Sequence, residues 1–216
     1  MKRAIIIIIL ILILDQVFKI WVKTSMCLGE SIPVFGNWFF LHFTENEGMA
    51  FGMMLGGNTG KLILSIFRIL AVMAIGYWLY TITRKPGYNK WFSVCIAFIL
   101  AGALGNILDS AFYGLIFSES HYCVECVMPD HQIAELFPPE GGYTGFLHGK
   151  VVDMLYFPLI ESHYPSWFPY VGGVDFIFFR PVFNLADSCI TIGVFLLIIF
   201  QKKFFGKPET GQTAQV

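Results

Sequence analysis

Unbroken apolar runs dominate the hydrophobic and polar pattern of this chain; amphipathic stripes do not. Four segments, about 4–22, 62–83, 91–108 and 182–200, are predicted as membrane-spanning helices. Each is near the roughly 20 residues that a hydrocarbon core requires. The fourth is the weakest, because its strongest apolar run, Ile190 to Phe200, is short and the helix reaches full length only by taking in polar residues at its start. The first follows Met1-Lys2-Arg3 and could pass for a secretory signal peptide. No small-x-small cleavage site follows it, and the apolar run continues through Asp15 to Trp21, so an uncleaved helix is expected.

Between the helices the pattern changes. Asn37 to Thr44 is rich in aromatics and reads as strand. Pro138-Pro139, Gly141-Gly142 and Gly172-Gly173 punctuate a long turn-rich region. Residues 1–208 read as a single integral-membrane domain and 209–216 as a polar, disordered tail.

Composition strengthens the membrane reading. The chain has 216 residues, 56% hydrophobic and 13% charged, against about 25% charged in soluble domains. Mean hydropathy is +0.67. That much apolar surface exceeds what one water-soluble core can bury, so most of it faces lipid. A net charge of −1 gives no basis for nucleic-acid binding. Five cysteines, an odd number, exclude a framework that pairs them all.

Lys and Arg orient the helices. Lys2, Arg3, Arg84, Lys85, Lys90, Lys202, Lys203 and Lys207 all fall on one side if the N-terminus is cytoplasmic. Both termini are then inside, and regions 23–61 and 112–181 are extracytoplasmic. This topology brings Asp15, Asn106, Asp109, Asn184 and Asp187 close to the outer interface. Ionisable residues inside spanning helices are costly and mark function. The plainer reading of Asp15 is an ion pair with Lys19 at i,i+4, and of each Asn an interhelical hydrogen bond. Two carboxylates held together share a proton, so one can activate water while the other polarises a carbonyl. A transporter would use such groups nearer the midplane, within pseudo-symmetric halves, and neither feature is visible.

The motifs that carry these residues resemble those of lipoprotein signal peptidases (type II signal peptidases). Asp15-Gln16-Val17-Phe18-Lys19 resembles the family's first motif, and Asn46-Glu47-Gly48-Met49-Ala50-Phe51 its Asn-x-Gly-x-Ala-Phe element. Gly105-Asn106-Ile107-Leu108-Asp109 resembles Gly-Asn-x-x-Asp, and Gly149-Lys150-Val151-Val152-Asp153 resembles Gly-x-Val-Val-Asp. Phe183-Asn184-Leu185-Ala186-Asp187-Ser188 is similar to Phe-Asn-x-Ala-Asp-Ser. The ordered set spans nearly the whole chain.

The resemblance implies an α-helical membrane protein of four transmembrane helices with a small extracytoplasmic β-cradle and a periplasmic loop or helix insertion. It implies an aspartyl endopeptidase of the bacterial inner membrane, working at the periplasmic face without metal or cofactor. The substrate would be a diacylglyceryl-modified prolipoprotein reaching a cleft between the third and fourth helices through membrane lipid. A cyclic peptide antibiotic of the globomycin type would inhibit it. Asp153 and Asp187 match the catalytic positions, Asn46, Gly48, Asn106 and Asn184 the substrate site, and Asp15, Lys19 and Asp109 supporting ones. Asp153 is expected on a loop and Asp187 on a helix, so that loop closure would assemble the pair.

The chain departs from the family in places. Ser110 stands where an Arg is usual, and Arg180 is a candidate substitute. Met154 replaces a Phe, and Glu47, at a position usually small or polar, is expected to be solvated. Asp175, in Gly173-Val174-Asp175-Phe176, rivals Asp153, whose motif is fuller. The insertion, Leu115 to His148, carries His121, Cys123, Cys126 and His131. Three readings stay open there: a Cys123–Cys126 disulfide, free thiols, or a zinc site. Cys27, Cys95 and Cys189 read as small apolar residues. A non-catalytic lipoprotein-binding protein is the remaining alternative, favoured only by Ser110.

Overall fold

The structure, a computed structural model, describes residues 1–48, 57–123, 133–158, 160–163, 167–168, 175–178 and 181–205, with the backbone alone at 57–58, 160–163, 175–178 and 205. Arg180, Cys126 and His131 lie outside the described residues.

Helices α1 (Lys2–Lys23), α2 (Gly57–Arg84) and α3 (Lys90–Leu108) form where the apolar runs predict them. Three stretches, Lys2–Lys23, Thr59–Arg84 and Lys90–Ile116, are long and apolar enough to cross a membrane. Their outward faces are apolar: Leu14, Val17, Ile63 and Phe67 are each 60% or more exposed, as lipid contact demands. The third stretch outruns its predicted end at 108, because the chain continues through a π-helical turn, Asp109–Tyr113, into the short helix α4 (Gly114–Ile116). The fourth helix starts later than predicted. Val182–Phe183 form strand β6, and α5 (Leu185–Ile199) begins only after the cap at Asn184. A short α6 (Gln201–Phe205) follows.

Helices α3 and α5 approach closely through small residues. A Cβ on Gly102 would lie 2.2 Å from the Ala186 carbonyl oxygen, so only glycine fits there. This contact seats the first turn of α5, and Asp187 with it, against the polar end of α3.

Strands β1 (Ser31–Phe35), β2 (Phe39–Asn46), β3 (Val151–Tyr156) and β6 form one antiparallel sheet in the order β1-β2-β3-β6. The aromatic stretch predicted as strand is β2. Its end runs beside β3, with Thr44 opposite Asp153 and Asn46 opposite Val151. Asp153 is therefore on a strand between two others, not on the loop expected. Val151, Val152, Asp153 and Met154 are all buried, which removes the in-out alternation that marks a strand in sequence. Strands β4 (Ile160–His163) and β5 (Asp175–Phe178) form a separate hairpin in which Asp175 pairs with His163. Val22, Met26, Phe43, Tyr113, Phe117, Val152 and Met154 pack into one core that joins the sheet to the helices.

The insertion is tied down where the sequence left three readings open. Leu28 bridges Tyr122, and the Leu28 N–H donates to the His121 carbonyl at 2.8 Å. This backbone pairing brings Cys27 and Cys123 to a Cα separation of 5.5 Å, where they form a disulfide. Cys123 is thus bonded to Cys27, not to Cys126 and not to zinc, and Cys27 is no mere apolar filler. Cys95 and Cys189 are free and buried. Among its described residues the insertion contains no helix beyond α4.

Candidate active site

The end of the sheet and the ends of three helices converge on two carboxylates. Asp187 occupies the first turn of α5, where Asn184 and Asp187 form a capping box. The Asp187 N–H donates to Asn184 Oδ1 at 2.9 Å, and the Asn184 N–H reaches Asp187 Oδ2 at 3.4 Å. The cap fixes the helix start and points the Asp187 side chain toward the sheet. Asp153 is 3% exposed on β3. Its Oδ1 accepts from Asn184 Nδ2 at 2.7 Å, and its Oδ2 accepts from Asn46 Nδ2.

The asparagines link the carboxylates. Asn106 Nδ2 donates to Asp187 Oδ1 at 2.7 Å. Asn184 Nδ2 also reaches Asn106 Oδ1 at 3.1 Å and the Val152 carbonyl at 3.3 Å. Asn184 thus touches both aspartates and Asn106. Interhelical hydrogen bonding, the plain reading of these residues, is present, but the partners include both candidate carboxylates.

Burial first, then the Asp187 charge, pushes the Asp153 carboxyl up to about 7 from an ordinary 3.8, while Asn46, Asn184 and Lys19 hold it back. A carboxyl that keeps its proton near neutral pH beside a second carboxylate can serve as a general acid.

A buried ionic layer supports the site. Lys19 Nζ lies 3.0 Å from Asp15, 2.7 Å from Asp109 and 2.9 Å from Asn106 Oδ1. All three charged side chains are buried. Asp15 Oδ1 also accepts the Ala186 N–H at 2.9 Å, so a carboxylate sits at the N-terminus of α5, where the helix dipole favours it. Asp109 Oδ2 accepts the Val152 N–H at 3.4 Å, one residue before Asp153. The layer therefore holds both α5 and β3.

Other predicted residues land as follows. Gly48 takes φ +81°, its N–H donates to Asn46 Oδ1, and it lies beside the site. Ser110 is buried and donates to the Asn106 carbonyl at 3.1 Å, a back-bond within its own helical segment. Glu47 is not simply solvated, because it accepts from Lys61. Sequence reasoning missed several polar residues. Gln16 donates to Asp109 at 2.8 Å and to Asp15 at 3.2 Å, and accepts from the Tyr113 hydroxyl at 3.2 Å. Lys23 is buried against Glu45 and Ser120, and Lys150 lies 3.7 Å from Glu45. Arg68 of α2 donates to the Gly48 carbonyl. Gln16 and Glu45 stand inside or beside recognised motifs, a signal that was available. Arg68 had one too, as an arginine within an apolar span.

The family model described as Signal peptidase (SPase) II matches residues 7–203. A lipoprotein signal peptidase of Porphyromonas gingivalis is 54% identical over 192 residues, covering 89% of this chain and 79% of that protein. One from Amoebophilus asiaticus is 34% identical over 201 residues, covering 92% and 77%. Two solved structures described as bacterial membrane enzymes share the fold. One has TM-score 0.57 at 24% identity, covering 100% of this chain and 95% of the other, and the second has 0.58 at 26%, covering 94% of each. By its match to the family model and to these relatives, this chain belongs to the signal peptidase II family of membrane peptidases.

Proposed function

We propose that this protein removes the signal peptide from diacylglyceryl-modified prolipoproteins, using Asp153 and Asp187 as an aspartyl pair that activates water. One observation carries the assignment: Asn184 and Asn106 join the two carboxylates into a single hydrogen-bonded unit. Support for Asp153 over Asp175 comes from the sheet, since Asp153 lies beside Asn46 while Asp175 belongs to the separate β4-β5 hairpin.

In this mechanism Asp153 holds the shared proton. Asp187 takes a proton from water as its oxygen attacks the scissile carbonyl, and Asp153 gives its proton to the carbonyl oxygen. The tetrahedral diol then collapses. The C–N bond breaks as one diol hydroxyl returns its proton to Asp153, and the leaving nitrogen takes up the proton held by Asp187. Asn46, Asn106 and Asn184 hold the carboxylates and the substrate backbone. Asp153 lies on β3, where Thr44 of β2 is its partner, so in this reading the pair needs no loop closure to bring Asp153 into place.

The remaining topology belongs to the same proposal. Residues 1–208 act as one domain in the bacterial inner membrane, with α5 completing four spans. Both termini are cytoplasmic, and the sheet and site lie at the periplasmic face. Lipid-modified substrate enters from the bilayer beside α3 and α5, where a globomycin-type cyclic peptide would compete.

The test is cleavage of a diacylglyceryl-modified prolipoprotein by purified wild type and by Asp153→Asn, Asp187→Asn and Asp175→Asn. Loss in the first two with retention in the third is expected. Loss in Asp175→Asn with activity in Asp153→Asn would transfer the role to the β5 aspartate. A well-folded wild type that does not cut would leave a lipoprotein-binding role.

A further inference from the structure

Helix α2 carries three polar residues on one face of an otherwise apolar span. Lys61, Ser65 and Arg68 recur at i, i+4 and i+7, the spacing of one helix face. Each is bonded to a loop beside the site. Lys61 donates to Glu47, Ser65 Oγ lies 3.2 Å from the Leu147 carbonyl, and Arg68 Nη2 donates to the Gly48 carbonyl. The segment leaving β2 and the segment entering β3 are both fixed to α2.

Arg68 is the costliest of the three. It lies ~14 Å along the span from its Thr59 end, at a depth where an arginine persists only with a partner or a task. Its described hydrogen bond goes to a backbone carbonyl, and its charge lies close enough to Asp187 for Coulombic attraction. Residue 48 adopts φ +81°, a backbone conformation that favours glycine, and a Cβ there would sit 2.7 Å from Arg68 Nη1, which would have to shift.

A chain of contacts then leads to Asp153. The Gly48 N–H donates to Asn46 Oδ1, and Asn46 Nδ2 donates to Asp153 Oδ2. The Gly48 anchor decides which way the Asn46 amide faces. With its oxygen held by Gly48, the NH2 group must point at Asp153. Released, the amide could turn its oxygen toward the carboxylate and repel it.

We infer that Arg68 is a positioning residue, which pins the Asn46–Gly48 turn so that Asn46 presents its NH2 group to Asp153, and which sets a positive charge toward Asp187. The inference rests on the aspartyl-pair reading. It also assigns a cationic role beside the pair to a residue of α2, where sequence comparison had pointed to Arg180.

The test starts from full-length wild type and Asp153→Asn in detergent or lipid. Cleavage by the first and none by the second establishes the aspartyl reading before Arg68 is touched. Arg68→Ala, Arg68→Lys, Asn46→Ala and Arg68→Ala/Asn46→Ala are then compared by kcat, KM and pH profile. The charged groups acting on Asp153 are Asp187 on α5 and Lys19 on α1, and all the variants retain both. Arg68→Ala is expected to lower kcat roughly 10- to 100-fold with little change in KM. It should also move the alkaline limb upward by about half to one pH unit, because the Asn46 hydrogen bond that favours ionised Asp153 is loosened. The double variant should be no slower than Asn46→Ala, and Arg68→Lys should recover part of the rate. Arg68→Lys also carries the test if Arg68→Ala fails to fold, with the same pH shift expected in smaller measure. An unmoved pH limb with additive losses, or a change confined to KM, overturns the inference.

Discussion

Asn184 Nδ2 lies 2.7 Å from Asp153 Oδ1, while the Asn184 Oδ1 oxygen receives the N–H of Asp187. One side chain thus caps α5 and fixes the opposing carboxylate on β3. The two roles separate in Asn184→Ser. Serine is also a good N-cap, so the helix start survives, but its hydroxyl is too short to replace the amide donation to Asp153. The expected result is a fall in kcat/KM of roughly 10²-fold or more with a near-native unfolding midpoint. Parallel loss of midpoint and activity would reduce Asn184 to a cap.

The state of Asp153 predicts the pH dependence. Its carboxyl rises to about 7 from an ordinary 3.8, so the folded protein keeps this proton at pH values where an unfolded chain has lost it. The group's contribution to stability is full at low pH and is lost as pH rises through about 7. If protonated Asp153 is the general acid, kcat/KM falls over the same range. A profile of kcat/KM across roughly pH 5 to 9 checks this. Activity still climbing above pH ~8 would mean that the ionised form is the working one.

The helices, and the meeting of Asp15, Asn106, Asp109, Asn184 and Asp187 at one end of them, were legible because hydropathy and Lys/Arg placement act locally along a chain. Asp153 as a strand residue was not. Its strand is buried on both faces, and its partner Asn46 lies 107 residues away. Gln16, Glu45 and Arg68 carried a local signal, in a motif or as a charge within an apolar span, but their partners, like those of Lys23 and Ser120, are chosen by tertiary packing, and no spacing rule connects them. The start of α5 was misread for a different reason. The apolar pair Val182–Phe183 extends the hydrophobic run but pairs with Leu155 and Tyr156 in the sheet.

Lys19 tests how much the ionic layer contributes. It neutralises Asp15 and Asp109, all fully or almost fully buried. Removing one partner of a buried pair typically costs about 3–5 kcal/mol, since a buried charge is left uncompensated. Lys19→Met should therefore accumulate poorly and unfold early, and adding Asp109→Asn should recover part of the loss. Unfolding midpoints of the three proteins in one detergent decide it. If Lys19→Met is as stable as wild type, the layer is balanced by groups other than Lys19.

The Cys27–Cys123 disulfide closes a sequence separation of 96 residues, and chain entropy alone would make such a closure worth about 4–5 kcal/mol. The side-chain hydrogen bonds that hold Asp153 and Asp187 come from Asn46 on β2, Asn106 on α3 and Asn184 at the start of α5, and involve neither cysteine. Cys27→Ser/Cys123→Ser should therefore keep cleaving at moderate temperature but lose about 10 °C or more of unfolding midpoint. Reductant should bring wild type down to the same midpoint and leave the double variant unchanged. The bond also reports sidedness, because disulfides persist in oxidising compartments. Protein isolated without reductant should carry the cross-linked peptide, with Cys95 and Cys189 alkylated only after unfolding. Finding free thiols at both Cys27 and Cys123 would remove the tether, and would leave Lys/Arg placement alone to argue that α1's Lys23 end faces the periplasm.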